Sequence, residues 1–127
     1  MTDTFKLTGN FKIESPPSIV PSDAIFNLSG PLYESFSVLK KFGQVVTLDA
    51  DGAEVISFGD VAQAHLIILK SDQPVTIELT SALGVFQMLP GDLLVLKTLD
   101  VPITAMRLTR AAGIATTARL ILAQKTP

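Results

Sequence analysis

Apolar and polar residues alternate with a period near two along most of the chain, the spacing of half-buried β-strands and not of helices. Phe5 and Leu7, then Phe11 and Ile13, flank Gly9-Asn10, which predicts a hairpin or a bulged strand. In "ESPPSIVPS", Pro16, Pro17 and Pro21 exclude a regular element, so residues 14–22 are expected to form a Pro-rich extended connector or arm. "AIFNLSG" predicts a short strand, and "VVTLDADGAEVISFG" a second hairpin turning at Asp51-Gly52. Two similar phrases, "HLIILKSDQPVTIELT" (65–80) and "DLLVLKTLDVPITAMRLT" (92–109), each predict a pair of strands. Their turn residues, Asp72 with Pro74 and Asp100 with Pro102, are expected to set hairpin register. A last strand, "TARLILAQ", follows the Ala-, Gly- and Thr-rich "AAGIATT".

One stretch carries two signals. In "SGPLYESFSVLKKFG", Pro31, the helical spacing of Leu32, Phe36 and Leu39, two lysines and a closing Gly43 fit a helix. Phe36 and Val38 alternating with serines, and the β-branched run that follows, fit a strand, which is the assignment adopted for 31–43. About nine short strands separated by turns predict an all-β protein, an antiparallel β-sandwich of jelly-roll type, as a single domain over 1–127.

Within that pattern two segments break the alternation. A sandwich strand with one face on the core and one in water alternates, whereas Leu66-Ile67-Ile68-Leu69 and Leu93-Leu94-Val95-Leu96 are apolar on both faces. A domain of this size has no further layer to cover the outer face, so another subunit is the simplest cover. Along "PVTIELT", Val75, Ile77 and Leu79 are expected to face the core and Thr76, Glu78 and Thr80 to face away. On the doubly apolar strands one alternating set is core and the other contact. Periodicity does not distinguish them; Ile67, Leu69, Leu94 and Leu96 are the candidate assembly interface, and Leu66, Ile68, Leu93 and Val95 form the other set.

Composition narrows the chemistry. Apolar residues make up 47% of the chain and charged ones 17%, with a mean hydropathy of +0.43, so substantial apolar surface needs cover. A net charge of -2 supplies no general attraction for nucleic acid or an anionic membrane, and neither is an expected partner. The start "MTDTFKLTGN" lacks the basic and apolar regions of a signal peptide, and no apolar run reaches the ~18 residues of a membrane span.

With no cysteine there is no thiolate nucleophile and no Cys-based zinc site. His65 is the sole histidine, no Gly-x-Ser-x-Gly elbow accompanies it, and beside an apolar strand it is expected to be structural. "MLPGDLLVLK" has the Pro-Gly turn of the cupins without their histidine ligands. "DADGAE" matches part of a calcium loop but lacks the twelve-residue spacing and distal Glu. A lectin-like jelly roll stacks sugars on aromatic rings, and this chain has no Trp and one Tyr, Tyr33. The residues therefore predict no enzyme and no cofactor or metal.

"ISFGDVAQAHLIILKSDQPVTIELT", followed by "LLVLKTLDVPITAMRLT" and "TARLILA", resembles small β-sandwich structural proteins of tailed bacteriophages over about residues 56–123. The resemblance implies a non-catalytic virion component, most simply a capsid decoration or cement protein. Its partners would be itself, as a trimer or ring, and the major coat protein; its location would be the virion. A neck or tail ring subunit and a lectin-like module are the alternatives.

Overall fold

The structure, a computed structural model, describes residues 3–9, 12–14, 25–27 and 32–127. These form β-strands and connectors, with no helix among them. The strands are β1 (Asp3–Gly9), β2 (Lys12–Glu14), β3 (Ile25–Asn27), β4 (Leu32–Leu48), β5 (Glu54–Val55), β6 (Leu66–Ser81), β7 (Gly84–Gln87), β8 (Gly91–Lys97), β9 (Ile103–Arg110) and β10 (Thr116–Lys125). The ambiguous stretch before Gly43 is strand throughout its described part, within β4. Its β-branched continuation decides the matter, because Val45 and Val46 run on in the same extended ladder against β10.

The chain divides into two compact units, Met1–Ser37 and Val38–Pro127. In the first, β2 pairs antiparallel with β3, so the expected Phe5–Ile13 hairpin is not the pairing that β2 makes. The rings of Phe5 and Phe36 lie 5.5 Å apart, tilted by 39°. The expected arm falls, apart from Glu14, outside the described residues.

The second unit is a curled antiparallel sheet, a half-barrel organised around β6. Residues 66–70 of β6 lie between β10 and β8, while residues 75–81 pair with β9 and, from Glu78 on, also with β7. The strand changes neighbours at Asp72-Gln73-Pro74. The first of the expected hairpin turns is thus a bend: Asp72 and Pro74 sit inside one continuous strand. Pro74 is tolerated because both ladders skip from Ser71 or Lys70 to Val75, so its missing N–H breaks no rung.

The neighbouring strands bend at the same level. β10 follows β9 through residues 111–115, and β5 follows β4 through residues 49–53. Asp51 ties these two connectors together: its Oδ1 accepts from Arg110 Nε at 3.2 Å and from the Gly113 N–H at 2.9 Å, and forms an ion pair with Arg110 Nη2 at 3.0 Å. Asp72 Oδ1 likewise accepts from the Thr117 N–H at 2.9 Å, joining the β6 bend to the start of β10. Asp51-Gly52 is therefore a crossing and not a hairpin, since β4 pairs with β10 and β5 with β9. Asp100 and Pro102 lie in the connector from β8 to β9, strands that pair with opposite ends of β6 and not with each other. Short polar side chains and Pro favour any reversal or sharp bend, which is why the residue types alone read as hairpins.

Curling brings the ends of β6 toward one strand. Ile103 pairs with Ser81 at the end of β6, and exchanges backbone hydrogen bonds with Ala64, two residues before its start. The concave side holds the core: Leu94, Leu69 and Leu120 form one row and Ile67 and Leu122 another, facing Ile77, Leu79, Met106 and Leu108 of the same cluster. Val75, Ile77 and Leu79 are buried and Thr76, Glu78 and Thr80 half-buried, as the alternation predicts.

Candidate functional site

The cross-strand registers place on the convex face every second residue of β8, the first half of β6, β10 and β4. One row reads Val95, Ile68, Ile121, Gly43; the next reads Leu93, Lys70, Arg119, Val45. Leu93 is 62% exposed, Val95 and Ile121 are each 48% exposed, and Val45 is 63% exposed. This is an apolar sheet face open to solvent, where the usual pattern is polar.

The structure thereby separates the two alternating sets. Ile67 and Leu69 are wholly buried, Leu94 is buried, and Leu96 is half-buried against the core. The candidate interface assigned from the sequence is thus core, because each of these side chains points into the curl of the sheet. Of the other set, Leu66 is also buried, while Ile68 is half-buried and Leu93 and Val95 are exposed. Sequence reasoning missed Ile121 and Val45. The available signals were the unbroken runs Leu120-Ile121-Leu122 and Val45-Val46, which are too short to stand out from a single buried residue per face.

Cations flank the apolar row on this face: Lys70 and Arg119 stand in the second row, and Lys97 and Lys41 stand by register on the other side of it. Lys70 Nζ donates to Asp92 Oδ2 at 3.0 Å, and that hydrogen bond with its Coulomb attraction holds the Asp92 carboxyl below its ordinary value. The pair is exposed on both sides, so it contributes little to stability. It does pair Lys70, one of the two cations in the second row, beside Arg119.

A second feature is an open cleft of about 560 Å³ at the end of the half-barrel, lined by Leu79, Phe86, Met88, Leu96, Val101 and Ile103, among others. Asp100 is the one ionisable group in its lining among the described residues, so no acid–base pair converges there. No group of three or more potential metal ligands occurs among the described residues. In the "DADGAE" loop the Asp51 carboxylate is committed to Arg110 and Gly113, and its pKa is lowered by the Gly113 N–H first and by Arg110.

His65 is placed by the backbone at the junction where β6 begins. Its N–H donates to Ala123 O, its carbonyl accepts from the Thr98 N–H, and its Nδ1 accepts from the Lys125 N–H at 3.1 Å. Accepting at Nδ1 requires the neutral ring. Burial, then the Lys125 charge, lower its pKa below 6.5, with Asp100 opposing. The folded state therefore favours neutral His65: this contribution is present above the unfolded-state value and is lost as pH falls through the lowered folded value. Thermal melts between pH 7 and 5, above the carboxylate range, are expected to show a falling melting temperature, and His65→Gln is expected to flatten that slope. An unchanged slope in the variant would remove His65 as its cause.

No protein-family model matches the chain, and comparison with curated proteins and with solved structures finds no match.

Proposed function

We propose that the chain is a non-catalytic assembly subunit of a tailed-bacteriophage virion, most simply a capsid decoration or cement protein. It would act by burying its convex apolar face against itself, as a trimer or ring, and against the major coat protein. The observation that carries this reading is the row of exposed Val95, half-buried Ile68 and exposed Ile121, with exposed Leu93 and Val45 beside it. Contiguous apolar surface of this kind marks interaction sites, and its removal from water supplies ~25 cal/mol per Å² before ordering costs are subtracted. The virion assignment itself rests on the sequence resemblance over residues 56–123. A neck or tail ring subunit would use the same face.

The finer architecture belongs to the same proposal. We read the curled sheet as a jelly-roll-like sandwich whose two layers are the two halves of each bent strand. The change of neighbours along β6 and the return of Ala64 and Ser81 to Ile103 support that reading.

Ile121→Asp tests the assembly role, because it places a charge in the middle of the apolar row without touching the core. Expected are an unchanged melting temperature and at least tenfold lower copy number on purified particles, measured by quantitative mass spectrometry, corresponding to a loss of about 1.4 kcal/mol or more in binding. Wild-type chain missing from intact virions, or Ile121→Asp incorporated like wild type, would refute the proposal.

A further inference from the structure

The convex face ends at a strand edge built to receive another strand. Among the described residues β8 pairs with β6 alone, through a regular register from Leu66↔Lys97 to Lys70↔Leu93. The Thr98 N–H donates to the His65 carbonyl, one step beyond the Leu66↔Lys97 pair. In an antiparallel ladder bonded and non-bonded residue pairs alternate, so Leu94 and Leu96 direct N–H and C=O toward β6, while Leu93 and Val95 direct theirs away from it.

An exposed edge of this kind is normally guarded by charge, Pro or a bulge. From Leu93 to Leu96 the strand has none of these; its charges stand at the ends, Asp92 and Lys97. Its side chains are apolar on both faces, with Leu93 and Val95 on the convex side and Leu94 and Leu96 on the concave side. A strand added here meets apolar residues above and below and must itself be apolar on both faces. β8 is such a strand, and it is complementary to itself when run antiparallel about a two-fold axis perpendicular to the sheet.

We infer that β8 pairs with β8 of a second copy, Leu93 of each opposite Val95 of the other, with the axis at Leu94. This register engages the outward N–H and C=O groups of Leu93 and Val95 in mutually bonded pairs, sets Leu93 against Val95 on the convex face and Leu94 against Leu94 on the concave face, and leaves Asp92 of each copy opposite Leu96 of the other at the ends of the contact. It also extends the Val95–Ile68–Ile121 row to Leu93 of the second copy, so that the two convex faces lie side by side. The inference rests on the assembly reading and names a two-fold contact between copies that by itself closes at a dimer, so a trimer or ring would need a further contact through the convex face; it also answers why β8 is apolar on its outer side as well as its inner one.

Amide hydrogen exchange on the isolated wild-type protein, followed by NMR across a concentration series, reads the contact directly. The Leu94 and Leu96 amides, bonded within the chain, are expected to be protected throughout. The Leu93 and Val95 amides are expected to exchange on the order of tenfold or more slowly at high concentration and to lose that protection on dilution. Val95→Pro removes only an outward N–H, at a position where an edge strand accepts Pro; it is expected to sediment as a monomer where wild type sediments as a dimer. Val95→Thr, which keeps the N–H, is expected to retain dimer. Leu93 and Val95 amides that exchange freely at every concentration, or a Val95→Pro chain that dimerises like wild type, would overturn the inference. Either result leaves the Ile121→Asp test on particles standing, so the two proposals fail separately.

Discussion

Leu69→Ala is expected to lose ~2–5 kcal/mol of folding stability, while Leu93→Ala, on the neighbouring strand, is expected to stay within ~0.5 kcal/mol of wild type. Leu69 is wholly buried between Leu94 and Leu120, and its truncation leaves a cavity in that row. Leu93 sits one residue from Leu94 yet on the opposite face, and is mostly in water. Urea midpoints at constant slope measure both. In a self-association assay the order reverses: Leu93→Ala is expected to weaken the oligomer while the folded monomer is unaffected. Equal stability losses would show that the convex face is covered from within the chain, which would remove the physical basis of an assembly role.

Gly59→Ala is expected to be the most costly glycine substitution in the second unit. Gly59 has φ +57, which costs a side-chain-bearing residue ~1–2 kcal/mol, and a Cβ built on it would lie 2.8 Å from the Phe42 ring. Phe42 packs against the core, and its ring atoms nearest Gly59 are not the free end of a flexible chain. The turn has little room to shift, because the Gly59 N–H donates to Ser57 Oγ at 3.1 Å and the Ser57 carbonyl accepts from Gln44 Nε2 at 2.6 Å. Gly52 is the control, with φ +98 and open space around it. Gly52→Ala should show the backbone cost alone. Phe42→Leu combined with Gly59→Ala should recover part of the difference, read as a coupling energy in a double-mutant cycle. Equal melting temperatures for the two alanine variants would mean that the ring yields without cost.

The sequence by itself determined that this is an all-β chain and that Val75, Ile77 and Leu79 face inward, while for the residues before Gly43 it carried a helix signal beside the strand signal that the structure bears out. The first two follow from a period-two pattern, which is local and survives any arrangement of the strands around it. It also showed that two strands are apolar on both faces, since a run of four apolar residues needs no partner to be recognised.

Which face is inner was settled only by the tertiary structure. Leu66–Leu69 and Leu93–Leu96 look the same from either side, and the direction in which the sheet curls decides that Ile67, Leu69 and Leu94 are core while Leu93 and Val95 are surface. The role of Asp72-Gln73-Pro74 was hidden for a related reason. Residues that favour a hairpin also favour a bend within a strand, and the two differ only in whether the following residues return to pair with the preceding ones. Here Val75 and its successors do not return to pair with residues 66–71 but pair with β9, supplied by chain well downstream, and no local signal reports a partner that distant.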